Sequence, residues 1–446
     1  MRAVIPWARL VIPLAVLSVG LDASPSPGQS ALDPRSESLP DDGPQPVYSA
    51  DPADPWNRTF HSLFTRPVRV RLTDEFAGAG PFERTPDVLG FPELPLSTRT
   101  FARIEGGDRA IEPLYRSPED TAPSGASSVL AGPRFDRLKL ALADALAEDR
   151  RRTPLARALM QADLWAAHDV LVAYPPPDDA ARERKEQLLA PLARLVKRLA
   201  LTRREIEDLP DNYAMARLPF DPFAADGGWT EVEYLSERIH DVAADLRRAA
   251  RVFVKPARPP RDRQAWLDGL RADLGRAAAR DLDAVALVVQ LLLVDSDGVV
   301  VPTRLTYEVQ VRTFPKGGGV AARETGLFVA ELSRKALLLE PRSGGLRPVA
   351  ERSPAYLPGA GNDYAFAPRH AGRGARQEPI LAPLRRRCQS CHGLDADILL
   401  TFSFHHVDPP QPVRHLRTAG NEHARSVAAS KMRREDFREL TRRWDR

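Results

Sequence analysis

Between Arg134 and Arg280 the apolar residues recur at steps of three and four. Leu138, Leu142, Ala145 and Leu146 form one stripe, Leu188, Leu189, Leu192, Leu195 and Leu199 a second, and Val232, Leu235, Ile239, Val242 and Leu246 a third. Such spacing collects one face of a 3.6-residue helix, so each stripe predicts an amphipathic helix with a single buried side. Trp266, Leu270 and Leu274 predict one more. Thr202 with Glu205, and Thr230 with Glu233, match the capping box in which each side chain takes up the other residue's free backbone N–H.

The period changes near residue 281. Ala284 to Val294 is an apolar run broken only by Gln290, Asp295-Ser296-Asp297-Gly298 reads as a turn, and Leu305, Tyr307, Val309 and Val311 then alternate with polar neighbours. This predicts an antiparallel hairpin with one buried face. Leu327 to Leu339 reads as a further strand after Gly317-Gly318-Gly319. Farther on, Ile398, Leu400, Phe402, Phe404 and His406 alternate with Leu399, Thr401, Ser403 and His405, which puts His406 on the more apolar side of a strand. Val427, Ala428, Met432, Phe437, Leu440 and Trp444 read as a closing helix. The expected fold class is α+β, a helical N-terminal region followed by a small antiparallel sheet and then a C-terminal segment.

The first residues have the pattern of an export signal. Met1, Arg2 and Arg9 give a positive start, Leu10 to Leu21 an apolar stretch too short for a membrane span, and Leu21-Asp22-Ala23 a small-residue cleavage site. An uncleaved anchor is the alternative; no integral membrane domain is expected beyond this segment. The expected organisation is a signal peptide at 1–23, a disordered Pro- and Ser-rich linker at 24–50 and a mainly helical domain at 51–280, whose first part, to about Gly132, has short apolar pieces such as Trp56, Phe60, Leu63 and Phe64 between Pro and Gly and is expected to hold little regular structure beyond one short helix. An antiparallel β region at 281–345 and a C-terminal region at 346–446 complete it. The expected location is the bacterial periplasm or the outside of the cell.

Composition narrows the function. The 446 residues carry 64 bases against 60 acids, a net charge of +4, with the two signs interspersed. That excludes a phosphate-tracking surface, so no nucleic-acid partner is expected. Only seven of the bases are lysine, which reflects codon usage in a GC-rich genome. No H-E-x-x-H, P-loop, G-x-S-x-G or dinucleotide fingerprint is present, and a hydrolase or nucleotide enzyme has no support.

Both cysteines of the chain fall in Cys388-Gln389-Ser390-Cys391-His392. In an exported protein this spacing is the attachment signature of a c-type haem, two thiols forming thioethers with the vinyl groups and the next residue offering an imidazole to the iron. A local disulfide or a dithiol redox pair is the alternative, but the βαβ context of a thioredoxin-like site is missing. Residues 379–393, Pro-Ile-Leu-Ala-Pro-Leu-Arg-Arg-Arg-Cys-Gln-Ser-Cys-His-Gly, resemble the haem-attachment segment of c-type cytochromes, where a short helix delivers the chain into the motif. The resemblance implies that 346–446 binds one covalent haem c, with Cys388 and Cys391 as thioether residues and His392 as the proximal iron ligand. For the distal side His406 is the first choice. Met432, another histidine such as His415 or His423, or an open position are the alternatives.

The remaining features have plain readings. His168, one turn after Leu164 and Trp165, is expected to be a satisfied core histidine and His61 a surface residue. Arg385-Arg386-Arg387 suits either an acidic partner or haem propionates, or is simply solvated. Asn57-Arg58-Thr59 matches a glycosylation acceptor too common to use. Electron transfer with a redox partner protein, catalysis on a small oxidant or nitrogen compound at an open iron, and haem-based sensing are the functions compatible with the motif.

Overall fold

Why the chain becomes α+β is clearest at its centre, where β5 (Leu282–Val294) and β6 (Val300–Thr313) form the predicted long hairpin. Asp295 holds its turn: Oδ1 accepts from Asp297 N at 3.1 Å and Val299 N at 2.8 Å, and Gly298 takes a φ of +79°. Leu305, Val309 and Val311 are completely buried, as their alternation requires.

The computed structural model describes residues 47–64, 66–72, 100–104, 129–130, 132–149, 152–234, 247–272, 282–314, 326–349, 354–357, 380–383, 416–418 and 422–444. All belong to one compact unit, Asp41–Arg446; the other unit, Met1–Pro40, lies wholly outside the described residues, as does the expected signal peptide.

The helical layer comprises α1 (Pro55–Phe64), α2 (Gly132–Ala147), α3 (Pro154–Ala173), α4 (Asp179–Leu199), α5 (Arg203–Glu207) and α6 (Asn212–Ala216). The first two predicted stripes are buried in α2 and α4, with Leu146 half-buried. Thr202 and Glu205 form the capping box at the start of α5, with Thr202 N donating to Glu205 Oε2 at 2.8 Å and Glu205 N to Thr202 Oγ1 at 3.2 Å.

Of the third stripe, Leu235, Ile239, Val242 and Leu246 lie outside the described residues, and Val232 is not helical. Thr230–Tyr234 is strand β3, so Thr230 and Glu233 make no capping box. The sequence Thr-Glu-Val-Glu-Tyr alternates, and Val232 is buried against Val252 and Val254 of β4 (Arg248–Pro256), while Glu231 takes a two-pronged ion pair from Arg251 at 2.6 and 2.8 Å. Two β-branched residues and a cross-strand partner outweigh the helical spacing. The stretch expected to be helical therefore supplies two strands to the sheet, beside the predicted helix at Trp266, α7 (Arg263–Ala272). The strand read at 327–339 also stops early: β7 is Gly326–Leu332, and Ser333 caps α8 (Arg334–Leu339) by accepting from Ala336 N at 3.1 Å.

With β8 (Leu346–Val349) and β11 (Leu416–Thr418) the sheet has seven strands in the order β11-β3-β4-β5-β6-β7-β8, every pair antiparallel. One face joins α1 to α6 in the main core; the other holds a smaller cluster with Leu267 of α7. α9 (Glu422–Met432) and α10 (Glu435–Arg442) divide the predicted closing helix at Arg433–Arg434; α9 lies on β4 and β6, and α10 on α3.

Two buried amides knit the helices to the β5–β6 hairpin. Asn212 of α6 accepts from Thr306 N at 2.7 Å and donates to Thr306 O at 3.0 Å and Gly344 O at 3.1 Å. Gln161 of α3 accepts from Val294 N at 2.9 Å and donates to Val294 O at 2.8 Å and Val196 O at 3.2 Å. Each side chain supplies hydrogen bonds that a neighbouring strand would otherwise make. The approach at Gly344 needs glycine: φ is +64°, and a Cβ there would lie 2.4 Å from Asn212 O.

Candidate functional site

Cys388, Cys391, His392 and His406, with Arg385-Arg386-Arg387 and the strand read at 398–406, lie outside the described residues. The structure defines how that stretch is held. Before it, β10 (Ile380–Pro383) is the third strand of a second sheet, ordered β2-β1-β10-β9, with β1 Arg66–Leu72, β2 Thr100–Ile104 and β9 Pro354–Leu357. β10 pairs parallel with β1 and antiparallel with β9. After it, β11 is the edge strand beside β3, and α9 follows. Residues 380–383 are strand; 384–393, over which the resemblance implies a short helix entering the motif, lie outside the described residues. The Ile-Leu-Ala-Pro sequence suits a short paired strand better than a helix that Pro383 would have to end.

The C-terminal helices are locked to α3 by buried charge. Lys431, completely buried, donates to Asp169 Oδ2 at 2.6 Å and Asp436 Oδ2 at 2.7 Å, and its ammonium lies 5.6 Å from the Trp165 ring centroid. Arg247 adds a second bond to Asp169 Oδ2, at 3.0 Å. Burial alone would raise the Asp169 carboxyl; Lys431, His168 and Arg247 more than reverse this and hold it well below the usual carboxylate range. Arg247 has a φ of +54°, left-handed backbone that costs an arginine on the order of 1 kcal/mol. Leu292 N donates to its carbonyl at 2.9 Å, so the ion pair and a sheet hydrogen bond together keep it there.

A second buried carboxylate, Asp163, lies at the middle of α3. Arg334 grips Asp163 with both nitrogens, Nε to Oδ2 at 2.6 Å, and Tyr48 donates its hydroxyl to the same carboxylate. Burial first, and Asp163 next, push the Tyr48 phenol well above its ordinary range. Tyr48 belongs to the stretch expected to be linker. Residues 47–50 instead pack against α1 because Asn57 accepts from Val47 N at 3.0 Å and Tyr48 N at 2.8 Å and donates to Ser49 O and Asp51 O at 2.9 and 2.7 Å.

These positions settle the minor candidates. Asn57 is fully buried, so the Asn57-Arg58-Thr59 match offers no acceptor on the folded surface. His61 is buried in α1 rather than exposed. His168 is completely buried as expected, but its hydrogen bonds are not made: Nδ1 stands 3.8 Å from Asp169 Oδ1, and neither ring nitrogen has a hydrogen-bond partner among the described residues. Met432 packs against the main core. Among the described residues no group of three or more His, Cys, Asp or Glu side chains could hold a metal ion, and no helix is long and apolar enough to cross a membrane.

Asp163, Asp169 and Lys431 escape a reading by hydrophobic stripes because charge at a core position counts there only as a break. The signal was present: α3 is apolar on nearly all sides, so the carboxylates within it had to be buried and needed cations. No protein-family model, curated protein or solved structure matches the chain.

Proposed function

We propose that this chain is an exported c-type cytochrome-like protein that binds one covalent haem and carries single electrons in the bacterial periplasm, exchanging them with a redox partner protein. One observation carries the reading: a chain of 446 residues has two cysteines, and both stand in C-x-x-C-H. Two thiols and an adjacent imidazole are the donor set that covalent haem requires. The haem supplies a one-electron iron couple.

The chain's own residues hold and tune it. Cys388 and Cys391 fix the ring edge, and His392 is the proximal ligand. His406 is the distal ligand, and the engagement of Met432 in the core supports it over the only downstream methionine. Residues 384–415, which carry the motif and His406, run between β10 and β11.

Production with and without a cytochrome c maturation system tests the proposal. With maturation, the denatured protein is expected to keep its haem through electrophoresis and to stain for peroxidase activity, and the reduced spectrum is expected to be six-coordinate and low-spin. A colourless product whose two cysteines alkylate freely would sink the proposal; a five-coordinate, high-spin iron would replace electron transfer by catalysis or sensing.

A further inference from the structure

One face of α3 carries four polar atoms without partners. His168 and Asp169 stand three and four residues after Trp165, the spacing that makes side chains neighbours on a helix, and none of the three is more than 2% exposed. Asp169 commits Oδ2 to Lys431 and Arg247, but among the described residues its Oδ1 has no hydrogen-bond partner, nor has Trp165 Nε1 or either ring nitrogen of His168. α9 and α10 close this face. The Lys431 ammonium and the Phe437 ring centroid lie 5.6 and 5.9 Å from the Trp165 ring centroid, and Glu439 interacts electrostatically with His168.

We infer that the seam between α3 and α10 binds a water molecule, which donates to Asp169 Oδ1 and His168 Nδ1 and accepts from the Trp165 indole N–H. Distance supports it. Nδ1 and Oδ1 are 3.8 Å apart, too far for a direct bond, yet one oxygen can hydrogen-bond both at about 2.8 Å. Chemistry supports it too. An indole N–H only donates and a carboxylate oxygen only accepts, so a guest serving both must be donor and acceptor at once. Three partners on one guest are the usual complement of an internal water, and they remove the cost of leaving buried polar atoms unpaired. Charge makes the guest neutral: Lys431 and Arg247, bound to the same carboxylate, oppose a metal cation, while Asp169, Asp436 and Glu439 oppose an anion.

The test uses the full-length protein, with water itself as the probe. With nitrogen-15 in the tryptophans, the indole signal missing from W165F identifies the Trp165 N–H. In the wild type this proton is expected to give a direct cross-peak to water, of the sign that distinguishes a bound molecule from chemical exchange. Oxygen-17 relaxation dispersion of the solvent counts long-lived internal waters, and H168L is expected to lose about one of them. No water cross-peak at Trp165, or the same dispersion amplitude in H168L as in the wild type, overturns the inference. Should H168L fail to fold, the wild type decides alone in a crystal structure. An imidazole turned to bond Asp169 Oδ1 directly, or no solvent oxygen within hydrogen-bond reach of both Nδ1 and Oδ1, overturns the inference there, and one oxygen bonded to both supports it.

Discussion

The ammonium of Lys431, near the end of α9, meets the carboxylate of Asp169 in the C-terminal part of α3 at 2.6 Å, and neither side chain has appreciable contact with solvent. Through this pair the last helices of the chain are fastened to a helix that precedes the whole sheet. Removing one partner strands the other in the core. Lys431→Met is expected to cost about 3 to 5 kcal/mol in urea unfolding, whereas the double change Asp169→Leu with Lys431→Met is expected to be markedly less damaging than the sum of the single changes. A double variant as unstable as that sum would show that the two residues are not coupled.

Acid should act on the same pair. The folded-state affinity of Asp169 for a proton lies well below its ordinary value, so its contribution to stability is complete above the unfolded carboxylate range and is lost as pH falls through and below about 4. Melting temperature is expected to drop across that interval, with a shallower drop in Asp169→Asn from a lower starting point. Equal slopes in the two proteins would assign the acid limb to other carboxylates.

At the opposite end of the unit, Asn57→Ala removes four hydrogen bonds to the 47–51 backbone. The expected cost is about 1 to 3 kcal/mol, accompanied by faster limited proteolysis immediately before α1. Expression in a glycosylating host is expected to add no sugar at Asn57 once the chain has folded, which a mass measurement of the intact protein checks.

For the iron, His406→Ala is expected to convert a low-spin spectrum to high-spin and to admit carbon monoxide, while His405→Ala and Met432→Leu leave the spectrum unchanged. Because Met432 lies against the core, Met432→Leu is expected to alter stability by less than about 1.5 kcal/mol, as a volume-conserving core change does. Loss of a sulfur-to-iron band in Met432→Leu would give the distal role to the methionine instead.

What could be read from the sequence followed from how local its cause was. The stripes of α2 and α4, the Thr202–Glu205 cap and the β5–β6 hairpin are set by residues within a few positions of one another, and their patterns predict them. β3 was misread because Thr230–Tyr234 gains its strand conformation from Val252 and Val254, some twenty residues away, while Val232 fits a helical stripe equally well. The early end of β7 was legible in Ser333, an N-cap residue that the apolar run on either side concealed. At the candidate site the motif itself is written in five consecutive residues. The second sheet was hidden because it takes shape only when β1, β2 and β10, drawn from distant parts of the chain, are set in register.

The amides of Asn212 and Gln161 bear on how the molecule can be divided. Because each sits in a helix and completes the hydrogen bonding of a strand, a cut placed where the apolar period changes, near residue 281, would leave β5 and β6 with unanswered backbone groups at Val294 and Thr306. It would also take β3 and β4 from the sheet. The helices cannot be removed as an accessory, nor the sheet taken alone. A shortened version of this protein that is to keep its fold must therefore retain both, together with the Asn57 contacts that hold Tyr48 to α1.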